Sequence, residues 1–541
     1  MAPTFDCDVL VIGSGFGGSV SALRLSEKGY GVIVVERGKR WQAKDFPRSN
    51  WNVFRSMWAP SLGCSGPLRV TLLDDVMVLS ASGVGGGSLV YANTLLVPPR
   101  PFFVDPQWAE MADWQAELAP HYRTAQRMLG AVPNPVFGPA DDVLRAVATE
   151  MGRGDRVHAT DVGVFFGQPG KTVADPYFGG EGPARTGCIQ CGACMTGCKH
   201  GAKNTLDKNY LYLAEKRGAS VRAEREVVGL RCLGGPTAHG EEGWQVELKP
   251  SVGLARWTGR RELLTARQVV CAAGVLGTLP LLLAARERGD LPDLPATLGD
   301  KLRTNSEAIV GATGGTVRGS DGKRIDYSKG VAITSGAHFD DHTHIEVVRY
   351  GEGHDALSML GTLLIDGGGR VPRGLRWVWT CLTHPIEFAR SMWKFGWARN
   401  GIILLVMQTL DNSLKAKWKR SRWLPWRRTL RTERPAGAPV SPTYIPIGNE
   451  VARRVAQRIG GVPMSALNEV VLDIPTTAHI LGGCAIGPDG RGVVDGGSRV
   501  YGYTGLFVCD GSIVPANLGV NPSLTIAALT EHAMAQVPVK A

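Results

Sequence analysis

The chain has 541 residues, of which 70 are glycine, a share of about 13% against the ~7% usual in globular proteins. The glycines follow no fixed period and hydrophobic residues make up 44% of the chain, which excludes a collagen and a disordered protein. The apolar run 401–410 is well short of the ~18 residues that a membrane-spanning helix needs.

The number of cysteines and the distribution of charge indicate in which compartment the protein resides and which partners it binds. The strand-like run 8–12 begins so early that no secretory signal fits before it, and the 11 cysteines are an odd number. We therefore expect a cytoplasmic protein whose thiols are free or metal-bound. The net charge of +11 is concentrated in residues 415–431, which hold eight Lys/Arg, three Trp and no acidic residue. Because the rest of the chain is nearly balanced, no nucleic acid partner is expected.

The chain opens with a strand, a glycine turn, a helix over 19–28 and a second strand over 31–36, which is a βαβ unit of the size used for dinucleotides. Further along we predict a glycine turn at 83–88, helices over 206–217, 276–285 and 523–535, and strands over 268–273, 341–349, 402–410 and 505–510. Nucleotide-fold features thus lie at the beginning, middle and end of the chain, which predicts one dinucleotide domain with a second domain inserted in pieces.

The first glycine motif carries the nucleotide prediction. It reads Gly13-Ser14-Gly15-Phe16-Gly17-Gly18. The first glycine allows a tight turn, the second lets the backbone approach a pyrophosphate, and the third allows helix and strand to pack closely. Glu36 ends the next strand, where a carboxylate can bind ribose hydroxyls. The alternative, an ordinary glycine turn, explains neither the strand–helix context nor Glu36.

The first glycine motif is accompanied by Gly83-Val-Gly-Gly-Gly-Ser-Leu89, by the junction Ala273-Gly274 and by the tail Asp510-Gly511…Asn521-Pro522. In these features the chain resembles the glucose–methanol–choline (GMC) oxidoreductases. The likeness runs from residue 8 to about 535 and is strongest to the cholesterol oxidase branch, particularly its intracellular actinobacterial-type members. It implies FAD and oxidation of an alcohol by hydride transfer to the flavin. It also implies that cofactor contacts come from both glycine motifs, Glu36, Gly85, Gly86, Gly87, Ser88, Asn93, Val227, Ala273, Gly274, Asp510, Gly511, Asn521 and Pro522.

Some relatives attach the flavin covalently through a histidine near the second glycine motif. Residues 88–94 contain no histidine here, so we expect non-covalent FAD.

The resemblance places His479 and Asn521 at the active-site pair of the family. An imidazole can take the proton of an alcohol or hold its oxyanion, and an amide can position the oxygen or the flavin edge. By its sequence context alone, a histidine before Gly-Gly is more often structural.

Glu346 is the third candidate, in the apolar run His344-Ile-Glu-Val-Val. Apolar surroundings raise the pKa of a carboxyl group and suit it to carrying a proton. The resemblance implies that it moves the ring double bond of a sterol into conjugation. The alternative is a surface residue of an edge strand that pairs with Arg349.

Cys188, Cys191, Cys194 and Cys198 form a Cys-x2-Cys-x2-Cys-x3-Cys run, the spacing of bacterial ferredoxins. It favours an iron–sulfur cluster or another metal. No proline follows Cys198 and there is no second run, so a tight loop of reduced thiols remains the alternative.

The basic stretch 415–428 alternates Lys with Trp and predicts a hairpin. Its cations and rings suit an anionic membrane surface, to which aromatic residues in 375–379 and 392–397 would add. A solvated hairpin packed on the protein is the alternative, and nucleic acid is a weaker one.

The resulting prediction is an α/β flavoenzyme with a GMC-type, doubly wound FAD-binding domain. An α+β substrate domain, built on an antiparallel sheet, is interleaved with it. The FAD domain comprises 1–105, 186–300 and 470–541, and the substrate domain 106–185 and 301–469. The expected substrate is a hydrophobic secondary alcohol, and the more specific prediction is a 3-hydroxysteroid. The electron acceptor is expected to be oxygen or a carrier. The alternatives are a dehydrogenase of long-chain or other hydrophobic alcohols that passes electrons to a carrier, and a lipid-surface or electron-transfer protein that keeps FAD structurally.

Overall fold

Runs of valine, isoleucine and leucine that end at glycine-rich turns form the strands of the first sheet. The computed structural model describes residues 5–422 and 425–541. Within these residues the first sheet has seven strands. They are Cys7–Ile12, Val32–Val35, Ser220–Arg222, Arg225–Cys232, Trp244–Pro250, Glu262–Cys271 and Leu506–Val508.

The strand Glu262–Cys271 organises this sheet because it pairs with three others. Along one edge it is parallel to Cys7–Ile12. Along the other edge its first half is antiparallel to Trp244–Pro250, and its last three residues are parallel to Leu506–Val508. The carboxyl ends of three parallel strands therefore meet, and the loops that follow them lie side by side, where ligands bind in doubly wound sheets.

Helices cover this sheet much as the sequence predicts. The helix predicted over 19–28 is Phe16–Glu27, so it begins inside the first glycine motif. The helix predicted over 276–285 is Val275–Arg288, and the last one is Ser523–Ala535. The single helix predicted over 206–217 is wrong in one respect. The chain makes a 3-10 turn at Leu206–Lys208, leaves helical geometry at Asn209 and starts a new helix at Tyr210–Lys216, whose first amide donates to the Asn209 side chain.

The second sheet is entirely antiparallel. Its strand order is Gly361–Leu363, Val462–Ala466, Ala308–Thr313, Ile402–Gln408, Thr343–Val348, Ile333–His338 and Val157–Ala159. The strands predicted over 341–349 and 402–410 are both present in it.

Side chains alternate between the two faces of this sheet, as the period of a β-strand requires. One face packs on the helices Pro139–Glu150 and Pro446–Ile459 through residues such as Val310 and Ile345. The other face, with Ile309 and Val348, lines a large cavity. The sheet therefore has a core side and a cavity side.

The remaining elements range from two-residue strands to the 16-residue helix Trp114–Leu129. The further helices are Val53–Ser56, Arg100–Phe103, Trp114–Leu129, Ala255–Thr258, Arg373–Thr383, Pro385–Met392, Trp397–Asn400 and Leu467–Val471. The further strands are Trp58–Ala59, Cys64–Ser65, Leu68–Leu72, Met77–Ala81, Ala131–Pro133, Asp161–Gly163, Thr172–Val173, Arg185–Thr186, Lys415–Arg420, Arg428–Glu433 and Thr476–Thr477.

Across the described ranges 5–422 and 425–541, no helix is both long and apolar enough to cross a membrane. The first sheet takes its strands from 7–35, 220–271 and 506–508, and the second from 157–159 and 308–466. The two sheets therefore alternate along the chain, which is what a pair of discontinuous domains requires. The exact domain boundaries given above remain a prediction.

Candidate active site

The glycines of the first motif have separate structural roles. A Cβ added at Gly17 would lie 1.7 Å from the Cys509 carbonyl oxygen, and one at Gly18 would lie 2.0 Å from the Gly13 carbonyl oxygen. Gly13 has a φ of +102°. At Gly15, by contrast, the only atom within 4 Å of an added Cβ would be the Ala272 carbonyl oxygen, at 4.0 Å. Three glycines thus allow the strand ends to pack, and Gly15 leaves open space in the cavity where a ligand can approach.

Glu36 lies at the floor of the cavity, as predicted. Its carboxylate accepts hydrogen bonds from the Ser14 hydroxyl at 2.8 Å, the Ser14 amide at 3.2 Å and the Gly38 amide at 2.8 Å. These bonds hold the carboxylate next to the glycine turn, within the pocket that also contains Arg37.

The second glycine motif meets the first. A Cβ at Gly86 would lie 2.6 Å from the Gly15 Cα, and Gly86 and Gly87 both line the cavity. Gly85 and Ser88 do not line it. The Gly85 amide donates to the Ser14 hydroxyl at 3.0 Å, and the Ser88 hydroxyl donates to the Gly85 carbonyl at 2.6 Å, so these two residues hold the loop in place.

The other predicted cofactor residues lie in the strand Arg225–Cys232, in the loops after Glu262–Cys271 and Leu506–Val508, and directly before the last helix. Val227, Ala273, Gly274, Asp510, Gly511 and Pro522 all line the cavity. The Asp510 carboxylate accepts from the Gly274 amide at 2.9 Å and from the Ser512 amide at 2.8 Å, and burial raises its pKa. Asp510 therefore ties the two loops together.

The cavity has a volume of about 620 Å³ and runs from the glycine motifs to the second sheet. At one end are backbone amides, the start of the helix Phe16–Glu27 and Glu36, which fit a pyrophosphate and a ribose. At the other end the walls are mostly apolar, with residues such as Tyr350, Leu360, Trp397 and Leu405. The residues present fit FAD together with a hydrophobic substrate.

His479 projects into this cavity between the two ends. Its Nδ1 lies 3.0 Å from Oε2 of Glu307, a fully buried residue. Burial opposes protonation of the imidazole, but the Glu307 carboxylate outweighs it, so the pKa of His479 is raised. Glu307 accepts hydrogen bonds from the Thr477 hydroxyl at 3.0 Å and the Ala478 amide at 3.2 Å, which fix it beneath the histidine.

Asn521 and Glu346 meet at the same place. The Asn521 amide nitrogen donates to Oε2 of Glu346 over 3.3 Å, while its carbonyl oxygen has no hydrogen-bond partner. Glu346 is fully buried and lies behind Asn521 instead of forming part of the cavity wall. Burial raises the pKa of Glu346 to about 8, against the lowering effects of Asn521 and His479. The alternative of a surface residue paired with Arg349 is wrong, because Arg349 pairs with Asp141.

Asn93 does not line the cavity either. It is fully buried with a φ of +73°, and neither polar atom of its side chain has a partner. The four cysteines line a second, small pocket, where they are free thiols.

Two features of the site have no signal in the sequence. One is Glu307, which directly precedes the strand Ala308–Thr313 and reaches His479 from that distant part of the chain. The other is a stack of His158, His338 and His344, in which one nitrogen of each ring lies within 4.8 Å of one nitrogen of the other two. Nδ1 of His344 is 3.9 Å from Oε1 of Glu346. Each depends on strand pairing between residues far apart in the chain.

The basic stretch forms the predicted hairpin from Lys415–Arg420 and Arg428–Glu433, while Trp423 and Leu424 lie outside the described residues. Acidic groups of the protein neutralise much of its charge. The ion pairs are Lys415–Asp300, Lys417–Glu433, Lys419–Glu433, Arg422–Asp74, Arg428–Glu287 and Arg431–Asp74.

Comparison with known proteins decides the family. A GMC oxidoreductase family model matches residues 437–530, and an FAD binding domain model matches residues 8–44. The chain is 50% identical to a cholesterol oxidase of Mycobacterium tuberculosis over 99% of its length and 92% of that protein. The chain belongs to the GMC oxidoreductase family.

Two further comparisons agree. A cholesterol oxidase of Acinetobacter baumannii is 45% identical over 99% of this chain and 95% of its own length. The crystal structure of pyridoxine 4-oxidase from Mesorbium loti matches with a TM-score of 0.61 at 15% identity, covering 98% of this chain and 99% of that one. The predicted fold class is confirmed, and the chain is an FAD-dependent alcohol oxidoreductase.

The two kinds of glycine should respond differently to alanine. Gly17→Ala places a Cβ on a backbone carbonyl that cannot move aside, so it should lower the melting temperature of the protein by several degrees. Gly15→Ala meets no protein atom and should leave the melting temperature of the flavin-free protein within about 2 °C of wild type, while FAD content falls at least tenfold. FAD is measured by absorbance after acid precipitation, which also tests non-covalent binding. Equal loss of stability in both variants would contradict this assignment.

Proposed function

We propose that the chain oxidises the 3-hydroxyl group of a sterol. The observation that carries this proposal is the apolar end of the cavity, closed at the flavin end by the polar pair His479 and Asn521. Such a pocket fits a large hydrophobic secondary alcohol whose hydroxyl group reaches the two side chains. The relatives at 45% and 50% identity carry the name cholesterol oxidase, which supports the sterol as substrate.

Bound FAD supplies the acceptor for the hydride that leaves the carbinol carbon. His479 takes the hydroxyl proton, and the Glu307 carboxylate 3.0 Å from its Nδ1 stabilises the imidazolium that forms. The free carbonyl oxygen of Asn521 is directed by the bond from its amide to Glu346, so Asn521 orients the substrate oxygen or the flavin edge. The apolar walls exclude water while the charge shifts.

The substrate proposal is tested by anaerobic mixing of the yellow enzyme with candidate alcohols. Cholesterol should bleach the flavin at least tenfold faster than a long-chain primary alcohol, and the colour should return when oxygen is admitted. His479→Ala should keep its FAD and lose about 10²–10⁴-fold in the rate of bleaching. Bleaching by the primary alcohol only, without return of colour in oxygen, would favour a dehydrogenase that uses a carrier.

The pairing of Glu307 with His479 predicts a shift in pH dependence. The proton-accepting form of His479 is neutral, so the rate of flavin reduction should rise with pH through the histidine pKa. Since Glu307 raises that pKa, Glu307→Gln should move the rising limb to lower pH and reduce the plateau.

The rate of flavin reduction, measured by stopped flow between pH 5 and 9, gives the position of the rising limb of the pH profile. Glu531→Gln is the control, because that buried carboxylate pairs with Arg24 and not with the histidine. An unmoved limb in Glu307→Gln would exclude this role for Glu307.

We further propose that the Glu346 carboxylate, which lies behind Asn521, turns past that amide into the cavity after oxidation and moves a proton between ring carbons, which converts the first ketone to a conjugated one. The step requires the ionised carboxylate as base, and its pKa of about 8 predicts that isomerisation accelerates as pH rises through that value. Glu346→Gln should still reduce the flavin and accumulate the unconjugated ketone, with isomerisation slowed about 10²–10⁴-fold.

Near-ultraviolet absorbance separates the two ketones. Glu226→Gln is a matched control, because Glu226 lines the cavity and pairs with Lys249; its product should be conjugated as in wild type. Conjugated product formed at an unchanged rate by Glu346→Gln would exclude Glu346 from the step.

A membrane surface is the partner that we propose for substrate delivery. The helices Arg373–Thr383 and Pro385–Met392 expose large apolar side chains, among them Trp379 at 69% and Ile386 at 73%, and Trp393 follows at 68%. Residues 370–399 contain six Lys/Arg and one acidic residue. This surface suits an anionic bilayer better than the hairpin, whose charges are mostly paired.

Sedimentation with anionic vesicles tests this contact. The double variant Trp379→Ser, Trp393→Ser should bind at least tenfold more weakly than wild type, because interfacial rings supply much of the binding energy. Trp257→Ser, at a tryptophan that is 63% exposed elsewhere, should bind as wild type. Equal binding by all three proteins would contradict the assignment.

A further inference from the structure

Four cysteines in the segment 188–198 face one small pocket beside the main cavity. Cys188, Cys191, Cys194 and Cys198 all line it, together with Ala193 and Gly330. The segment keeps the spacing of a ferredoxin run. The oxidation reaction described above uses none of these thiols.

We propose that this pocket binds an iron–sulfur cluster through the four thiolates. A single zinc ion in a tetrahedral site holds its sulfur atoms about 3.8 Å apart, because each Zn–S bond is about 2.3 Å. Among the residues that the structure describes, no three of these sulfur atoms lie within 4.8 Å of one another. Thiolates spread this far suit a cluster, in which each binds a different iron atom.

The loop is held in a fixed shape around the pocket. A Cβ at Gly192 would lie 2.2 Å from the Ser328 carbonyl oxygen, and one at Gly197 would lie 2.0 Å from the Phe46 ring. The amide of Gln190, whose φ is +56°, donates to Sγ of Cys188 over 3.3 Å. Amide hydrogen bonds to sulfur are a recurring feature of iron–sulfur sites, and a loop packed this closely presents its ligands ready for the cluster.

Lys203 provides an independent observation. Its ammonium group is buried and donates to the carbonyls of Leu89, Tyr91 and Cys194 at 3.1, 2.7 and 2.8 Å. Its amine also lies 4.6 Å from the centre of the Tyr91 ring. These contacts fix the carbonyl of Cys194, and with it the cysteine loop, to the segment 89–91, and they place three donors of one lysine beside the pocket that would hold an anionic cluster.

The position of the pocket gives the cluster a function. Met195, the residue after Cys194, lines the main cavity, as does Tyr91. Lys203 connects the cysteine loop to the segment that follows the second glycine motif. A cluster bound to Cys194 would therefore lie next to Met195, which forms part of the wall of the flavin cavity. At this position a one-electron carrier can exchange electrons with the flavin. This function, but not the cluster itself, rests on the proposed oxidation.

Metal analysis of the full-length protein tests the proposal. After anaerobic purification, or reconstitution with ferrous iron, sulfide and a thiol reductant, wild type should contain up to about four iron atoms and a similar amount of acid-labile sulfide per chain. Dithionite should produce an electron paramagnetic resonance signal distinct from the flavin radical. Cys191→Ser should contain at least tenfold less iron while keeping its FAD. Cys64→Ser, at a buried free thiol outside the pocket, should match wild type.

Three results would overturn the proposal. Reconstituted wild type without stoichiometric iron and sulfide excludes the cluster, as does zinc bound without sulfide. Equal iron in Cys191→Ser and wild type would move the iron to another site. FAD content and anaerobic bleaching by cholesterol are read on the same samples, so failure of the sterol oxidation is distinguishable from failure of the cluster.

Discussion

The structure depends on three strand ends that pack backbone against backbone. At Gly17 and Gly18 the protein has no room for even one methyl group, since the Cys509 and Gly13 carbonyl oxygens occupy that space. This close approach brings the loops after Cys7–Ile12, Glu262–Cys271 and Leu506–Val508 together. The open backbone at Gly15 and the bridging Asp510 both lie on these loops, so this close packing positions the central part of the cofactor site.

Electrostatics in the interior complement this packing. Two buried carboxyl groups flank the reacting position, and they differ in their partners. Glu307 lies against His479 and accepts two hydrogen bonds, so its negative charge is available to the imidazolium. Glu346 accepts a hydrogen bond from the amide of Asn521 and lies 3.9 Å from Nδ1 of His344, but burial dominates and raises its pKa to about 8. The environment of Glu346 therefore favours a group that gains and loses a proton.

Local patterns predicted the elements around the first glycine motif. The glycine motif, Glu36 and the last helix lie where the sequence places them, because strand–turn–helix units are determined by residues near one another in the chain. Ser88 and Asn93 were predicted as cofactor contacts, yet the structure turns both away from the cavity. Their orientation depends on contacts with distant segments, such as the bond from the Leu206 amide to Ser88, which no local pattern encodes.

Long-range pairing explains what the sequence could not predict. Glu307 carries no motif, and its role appears only when the turn before the strand Ala308–Thr313 is placed beneath His479, 172 residues later in the chain. The histidine stack beside Glu346 likewise needs three strands in register. The hairpin was predicted correctly because its strands are adjacent in sequence, whereas its acidic partners, such as Asp74, were not foreseen.

The pairing of Glu262–Cys271 with Leu506–Val508 has a consequence for biosynthesis. The segment that completes the flavin-side edge of the central strand is synthesised more than 230 residues after that strand. Until it leaves the ribosome, Cys271 lacks its neighbour and the Gly274 loop lacks Asp510. Contacts this distant in sequence slow folding and leave strand edges exposed during synthesis. The cofactor pocket is therefore among the last parts of the molecule to be completed, long after the first βαβ unit has been synthesised.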